Sequence, residues 1–251
     1  MTATNVDLSL ILACYCDEQH LAKNSEIIAD YLNATKLRFE LIFVEDGSPD
    51  RTAQEIMRVT DRLGARGVLV QTILHSENKG RGASIQAGFR SATGAVIGFV
   101  DIDLEGRLDA LLPMYLRIRD GACDGVIGKR LYSCWWQYPV RLAMSLGYRL
   151  LVRLCLNLPV SDTEVGFKFF RRESLLPVLS RVGAQGWFWD TEIVARCVDF
   201  GLRLVNHTIV VERSPTKQTT VKLFRDSYRQ LTALVTFAVK KRDDVQITAG
   251  A

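Results

Sequence analysis

The chain has 251 residues, 48% hydrophobic and 24% charged, with six prolines and eighteen glycines. That suffices for one large domain or two small ones with a substantial buried core, and it excludes a disordered, collagen-like or disulfide-stapled chain. The net charge of +4 hides an asymmetry: residues 1–125 carry 13 basic and 18 acidic groups, residues 126–251 carry 19 and 10, and all four tryptophans (Trp135, Trp136, Trp187, Trp189) lie in the second half. The two halves are therefore expected to meet different partners.

In chain order, Leu8–Cys14 reads as a strand and Glu18–Ala34 as a helix with apolar residues at 21, 27, 28, 31 and 32. Phe39–Val44 (strand), Asp50–Leu63 (helix), Gly67–Leu74 (strand), Arg81–Ala92 (helix) and Val96–Val100 (strand) follow. Continuous apolar strands alternating with amphipathic helices predict a mostly parallel sheet covered on both faces. Ligands of such sheets sit beyond the carboxyl ends of the strands. Tyr15–Glu18, Glu45-Asp46-Gly47-Ser48 and Asp101-Ile102-Asp103-Leu104-Glu105 are thereby expected at one rim.

No secretory leader is recognisable, because Met1 to Leu8 lacks a basic region. No stretch reaches the roughly 18–20 uninterrupted apolar residues of a spanning helix, since Val140–Val160 is broken by Arg141, Arg149 and Arg153. The six cysteines lack metal-ligand spacing, and reduced core thiols in a cytoplasmic chain are expected.

Crowded carboxylates repel unless cations or donors compensate them. Asp101 and Asp103 are two apart and point to the same side if the pleat continues, with Glu105 next in line. Hard oxygen ligands on a short loop suit Mg²⁺ or Mn²⁺ shared with a diphosphate. The competing reading is that rim carboxylates only cap helices and turns, and Asp50 in Ser48-Pro49-Asp50-Arg51-Thr52 is assigned to that role.

Tyr15 with Asp17, Val44-Glu45-Asp46-Gly47-Ser48-Pro49-Asp50-Arg51-Thr52, Asn78-Lys79-Gly80-Arg81-Gly82 and Val100-Asp101-Ile102-Asp103-Leu104-Glu105 together resemble an inverting family 2 glycosyltransferase of the GT-A type. Asp162-Thr163-Glu164-Val165-Gly166-Phe167-Lys168 and Trp187-Phe188-Trp189-Asp190-Thr191-Glu192 are similar to the branch of dolichyl-phosphate mannose and glucose synthases. The resemblance runs from about residue 7 to residue 230. It implies a Rossmann-like three-layer α/β/α fold in one domain over 1–230, with a nucleotide-binding part (1–130) and an acceptor-binding part (131–230), before a helix end and basic tail (231–251). It also implies that Tyr15, Asp17 and Asp46 face base and ribose, that Lys79 belongs to the nucleotide-sugar site, that Asp101 meets sugar or ribose, and that Asp103 and Glu105 hold the metal. Where family members have Pro-Thr-Tyr-Asn-Glu this chain has Ala13-Cys14-Tyr15-Cys16-Asp17, and Glu105 stands where Gln is frequent.

In Pro139–Val160, Arg141, Ser145, Arg149 and Arg153 recur every four residues and form one polar stripe on an otherwise apolar helix, entered through Trp135, Trp136 and Tyr138. This reads either as an interfacial membrane helix or as a surface helix whose arginines pair with the protein. The resemblance favours the first. It implies that Arg141, with Ser145, receives an acceptor phosphate, that Arg130 supports phosphate charge, and that Lys217 closes over the donor diphosphate. Asp190 and Glu192 would orient the sugar or the phosphate-binding arginines. A second apolar stripe, Val221, Phe224, Tyr228, Leu231 and Val235, is explained by core packing, and Lys240-Lys241-Arg242 follows it.

The implied activity is metal-dependent, inverting transfer of a hexose from UDP-glucose or GDP-mannose to a polyprenyl phosphate, by an enzyme peripheral on the cytoplasmic face of a membrane. Two alternatives stay open: a soluble glycosyltransferase acting on a saccharide hydroxyl, and a non-catalytic nucleotide-sugar-binding scaffold. A nucleic-acid partner is not expected and ranks behind both, because the basic residues interleave with an apolar helix rather than a nucleic-acid motif.

Overall fold

The structure is a computed structural model and describes residues 6–132, 139–212 and 223–249. Of residues 132, 139–141, 223–226 and 242–249 only the backbone is described.

Seven strands form one sheet: β1 (Leu8–Cys14), β2 (Phe39–Asp46), β3 (Leu69–His75), β4 (Val96–Val100), β5 (Gly125–Tyr132), β6 (Phe167–Arg171) and β7 (Leu204–Val211). Their order is β3-β2-β1-β4-β6-β5-β7. β6 runs antiparallel to both of its neighbours and every other pairing is parallel. β1, β2 and β4 are almost wholly buried, as continuous apolar runs require, whereas the edge strand β3 is half exposed.

Helices α1 (Leu21–Ala34), α2 (Thr52–Ala65) and α3 (Arg81–Ser91) join the first four strands. The chain steps one way along the sheet through α1 and α2, then returns through α3. Right-handed crossovers in opposite directions put these helices on opposite faces. α1 packs on α2, while α3 packs on α6 (Arg172–Leu179) and α7 (Trp189–Asp199). α4 (Leu111–Arg119) lies against β4, β5 and β6. The result is the expected three-layer α/β/α arrangement, with the switch point between β1 and β4.

The predicted boundaries shift by a few residues. Asp17–His20 forms a turn, so α1 starts at Leu21 instead of Glu18. α5 (Pro139–Leu156) stops where Asn157 takes a φ of +45°, short of Val160.

α8 (Leu223–Ala249) packs on α5 through a second apolar cluster of Val152, Leu156, Phe188, Leu234, Phe237 and Ala238, in which the Phe188 and Phe237 rings meet edge to face. This corrects the core assignment for the described part of the stripe, Tyr228, Leu231 and Val235; the side chains of Val221 and Phe224 lie outside the described residues. Tyr228, Leu231 and Val235 are 69, 38 and 50% exposed, and the residues that pack are those at 234, 237 and 238 on another face of the helix. On α5, Leu146, Leu150, Leu151 and Leu154 are also exposed. Among the described residues no helix is long and apolar enough to cross a membrane.

Candidate active site

A cavity of about 630 Å³ opens at the carboxyl ends of β1, β2 and β4. Tyr15, Asp17, Asp46, Asp101 and Asp103 all line it, so three separate strand ends deliver the expected residues to one place. Arg81 and Trp187 join them, as do Arg229 and Gln230 from α8.

The rim carboxylates divide by role. Glu45 accepts the N–H groups of Gly47 (3.0 Å) and Ser48 (2.6 Å) and so fastens its own turn. Asp50 accepts the Thr52 N–H at 3.0 Å from one residue before Arg51, the N-cap of α2, so it fastens the turn into the helix instead of serving as the cap residue itself. Asp46 reaches the cavity, but its oxygens also accept the N–H groups of Lys79 and Gly80, both at 2.9 Å, and one lies 3.0 Å from His75 Nδ1. Asp17 accepts the Tyr15 N–H at 2.8 Å and pairs with His20. The β1 loop is tied to the β2 turn by Cys16 N–H to Ser48 Oγ (3.0 Å) and Asp17 N–H to Thr52 Oγ1 (2.8 Å).

The Asp101–Glu105 segment is a tight turn. The Leu104 N–H donates to the Asp101 carbonyl, Leu104 itself takes a φ of +54°, and the Glu105 N–H donates to Asp103 Oδ1. Gly166 is required beside it, because a Cβ there would lie 1.7 Å from Asp101 Oδ2. Asp101 and Asp103 both line the cavity, whereas Glu105 does not and is fastened to β7 through its carbonyl and the Glu212 N–H. Among the described residues no three His, Cys, Asp or Glu gather as a complete metal cage. Two carboxylates on one wall fit a hard cation whose remaining ligands are phosphate oxygens and water.

Behind that wall, charges alternate. Arg81 meets Asp101 at 2.7 Å and Asp190 at 3.4 Å, and the other Asp190 oxygen lies 2.5 Å from Lys168 Nζ. Lys168 is fully buried, its Nζ also donating to the Val165 carbonyl at 2.7 Å. Burial pulls the Lys168 ammonium down against the opposing pull of Asp190. Burial opposes the Arg81 charge too, but the carboxylates of Asp101, Asp190 and Asp103 outweigh it and push its pKa up. With both oxygens engaged by cations, Asp190 is placed to hold Arg81 rather than to take a proton. Glu192 accepts the N–H groups of Gly183 (3.2 Å) and Ala184 (2.7 Å), fixing the loop that carries Trp187.

A second network surrounds fully buried Asp162. Arg130 grips it with two bonds of 2.8 Å, and Arg149 donates to it at 2.5 Å. Burial works against that carboxyl's charge, but the two guanidiniums hold it below the usual range. Burial pushes the neighbouring Glu164 carboxyl up despite Arg130, and Glu164 accepts a bond from Gln230 at 2.9 Å. Ser145 Oγ lies 3.5 Å from Arg130 Nη2, so those two predicted residues are brought together. The Arg149 Nε, by contrast, is buried without a protein partner. The arginine stripe on α5 therefore splits, with Arg149 turned inward and Arg153 exposed.

Other expected residues stand elsewhere. The Lys79 side chain is exposed and does not line the cavity, to which its loop contributes Asn78 and Gly80. Lys217, Trp135 and Trp136 and the side chain of Arg141 lie outside the described residues. The sequence reading missed the Arg81 and Lys168 roles although both sit inside quoted motifs, and it missed Arg229 and Gln230, for which the sequence holds no local signal.

The description "Glycosyl transferase family 2" matches residues 9–178. The chain belongs to that family. It is 30% identical over 235 residues to glycosyltransferase AglD of Haloferax volcanii, covering 90% of this chain but 36% of that protein. It is 27% identical to the dolichyl-phosphate beta-glucosyltransferase of Homo sapiens, covering 74% of this chain and 61% of the relative, and 27% identical to the Trichomonas vaginalis dolichyl-phosphate beta-glucosyltransferase ALG5A, covering 80 and 64%. The chain thus spans less than two thirds of the length of each of these relatives. Its fold is of the GT-A type and matches glucosyl-3-phosphoglycerate synthase from Mycobacterium tuberculosis, crystallised with Mn²⁺, UDP and phosphoglyceric acid, with a TM-score of 0.66 at 16% identity over 93% of this chain and 78% of that one.

Proposed function

We propose that this chain transfers a hexose from a nucleotide diphosphate sugar, UDP-glucose or GDP-mannose, to a polyprenyl phosphate, with inversion. The observation that carries the reading is the convergence of Tyr15, Asp17, Asp46, Asp101 and Asp103 from three strand ends on one cavity of a family 2 chain. The dolichyl-phosphate relatives support the acceptor class.

Residues 1–130 would serve the donor, with Tyr15 and Asp17 toward base and ribose. Asp103, with Glu105 after it, would hold Mg²⁺ or Mn²⁺, and Asp101 would meet sugar or ribose. When bound, that cation supplies charge to offset the leaving diphosphate. Lys217 is proposed to close over the same diphosphate, and Arg229 on the cavity wall adds a cation there. An acceptor phosphate is already an anionic nucleophile, so it needs positioning more than deprotonation. One of its oxygens attacks the anomeric carbon as the bond to the diphosphate breaks. No general base is required, consistent with Asp190 being held between Arg81 and Lys168. Arg141, Ser145 and Arg130 are proposed to receive the acceptor phosphate.

The exposed leucines of α5 and the Tyr228, Leu231, Val235 and Val239 face of α8 belong to two helices packed on each other. We assign this surface to peripheral contact with the cytoplasmic face of a membrane, where a lipid-borne phosphate would be presented.

The test is incubation of labelled nucleotide sugar and Mn²⁺ with vesicles containing polyprenyl phosphate. The reading predicts a mild-acid-labile product extractable into organic solvent. Label passing only to water-soluble saccharide would establish a hydroxyl acceptor instead, and donor binding without turnover would establish a scaffold.

A further inference from the structure

Glu164 stands between Arg130 and α8. Its Oε1 accepts the Gln230 amide at 2.9 Å, while its Oε2 lies 3.4 Å from Arg130 Nη2. Arg130 makes two bonds of 2.8 Å to Asp162, so its contact with Glu164 is the long and weak one. The Glu164 backbone is fixed to the same network, its N–H donating to Asp162 Oδ1 at 3.3 Å. A small rotation of the side chain is then enough to seat its carboxylate on the guanidinium. The floor of the network is held without α8: Tyr148 of α5 bonds Thr191 of α7 at 3.0 Å, and Thr191 bonds Thr163 at 2.8 Å. α8 reaches it from outside. Leu234, Phe237 and Ala238 pack in the second apolar cluster, Lys241 meets Asp199 at 2.5 Å, and Gln230 lies one turn before Leu234. Among the described side chains, Asp162 and Glu164 face Arg130 and Arg149, two charges of each sign. A Glu164 carboxylate fully seated on Arg130 would therefore compete with a phosphate for the same N–H edge.

We propose that Gln230 is a positioning residue for the acceptor: its amide holds the Glu164 carboxylate back from Arg130, which lets that guanidinium turn its N–H edge to a phosphate monoester. The proposal rests on the acceptor-phosphate reading above. An amide suits the task because it donates to a carboxylate oxygen and brings no charge of its own. Leucine, of similar volume, cannot donate, and glutamine at position 164 keeps the shape of Glu164 without its charge.

The test is steady-state kinetics with Mg²⁺, UDP-glucose or GDP-mannose, and polyprenyl phosphate in detergent micelles, with inorganic phosphate as a competitor of the lipid. Gln230→Leu is expected to raise the acceptor KM and the phosphate inhibition constant together, each about fivefold, with kcat and the donor KM within about twofold. Glu164→Gln in the Gln230→Leu background is expected to bring both constants back to within about twofold of wild type, because it removes the charge that the first change releases. Gln230→Asn keeps the amide but shortens its reach; it is expected to repeat the effect and decides the matter if Gln230→Leu does not fold. Unchanged acceptor constants in the Gln230 variants, or no rescue by Glu164→Gln, would overturn the proposal. So would a rise in either constant in Glu164→Gln alone, or a rise in lipid KM without one in phosphate inhibition, which would place the effect of Gln230 on the lipid chain. A wild-type protein that labels water-soluble saccharide and no lipid overturns the acceptor-phosphate reading itself.

Discussion

Two networks of carboxylate and guanidinium, one around Asp101 and Arg81 and the other around Asp162 and Arg130, use the same chemistry to different ends. In the first, the carboxylates Asp101 and Asp103 are on the cavity wall; Arg81 holds Asp101 from behind, and Lys168 holds Asp190, the second partner of Arg81. In the second, the carboxylate is at the centre, fully buried, and the guanidiniums surround it. The first presents oxygen atoms, suited to sugar hydroxyls and a hard cation. The second presents N–H edges, suited to phosphate. The lesson is that charge sign alone does not assign a ligand; what matters is which partner is turned outward.

The largest effect should come from removing an outward carboxylate. Asp103→Ala is expected to lower donor turnover by about 10²–10³-fold, read as kcat/KM with Mn²⁺. Survival within a few-fold would remove Asp103 from the cation site.

The second network should answer through stability. Asp162→Asn leaves two largely buried guanidiniums without their central anion, and a loss of about 3 kcal/mol is expected in denaturant unfolding. The pH dependence has a definite sign. The folded pKa of Asp162 is lowered, so its contribution is present above the unfolded value, about 3.9, and fades as pH falls through the folded one. Wild type should therefore lose its advantage over Asp162→Asn only below about pH 4.

Surface changes rank next. Leu150→Glu with Leu154→Glu should leave the melting temperature nearly unchanged, since both side chains are exposed, and should weaken vesicle co-sedimentation at least about tenfold. Unchanged sedimentation would move the membrane contact off α5.

Much of the donor side was legible in the sequence because parallel strands carry apolar runs and end in short loops. The residues after β1, β2 and β4 could be placed at one rim without coordinates. The rim's division of labour was not legible: Glu45, Asp46 and Asp103 look alike in sequence, yet Glu45 is spent on its own turn. The α8 stripe misled for a different reason. A helix of 27 residues carries apolar groups on more than one face, and periodicity does not say which face meets α5. Arg229 and Gln230 reach the cavity only through that packing.

The central claim is that the donor and the acceptor phosphate are received by the two separate networks. Two-substrate kinetics on Asp101→Asn and Ser145→Ala tests it most directly. The account predicts a crossed pattern. Asp101→Asn raises the KM for nucleotide sugar and spares that for polyprenyl phosphate, while Ser145→Ala, losing about 1 kcal/mol of hydrogen bonding, raises the acceptor KM about fivefold and spares the donor. Two variants that shift both constants together would contradict it.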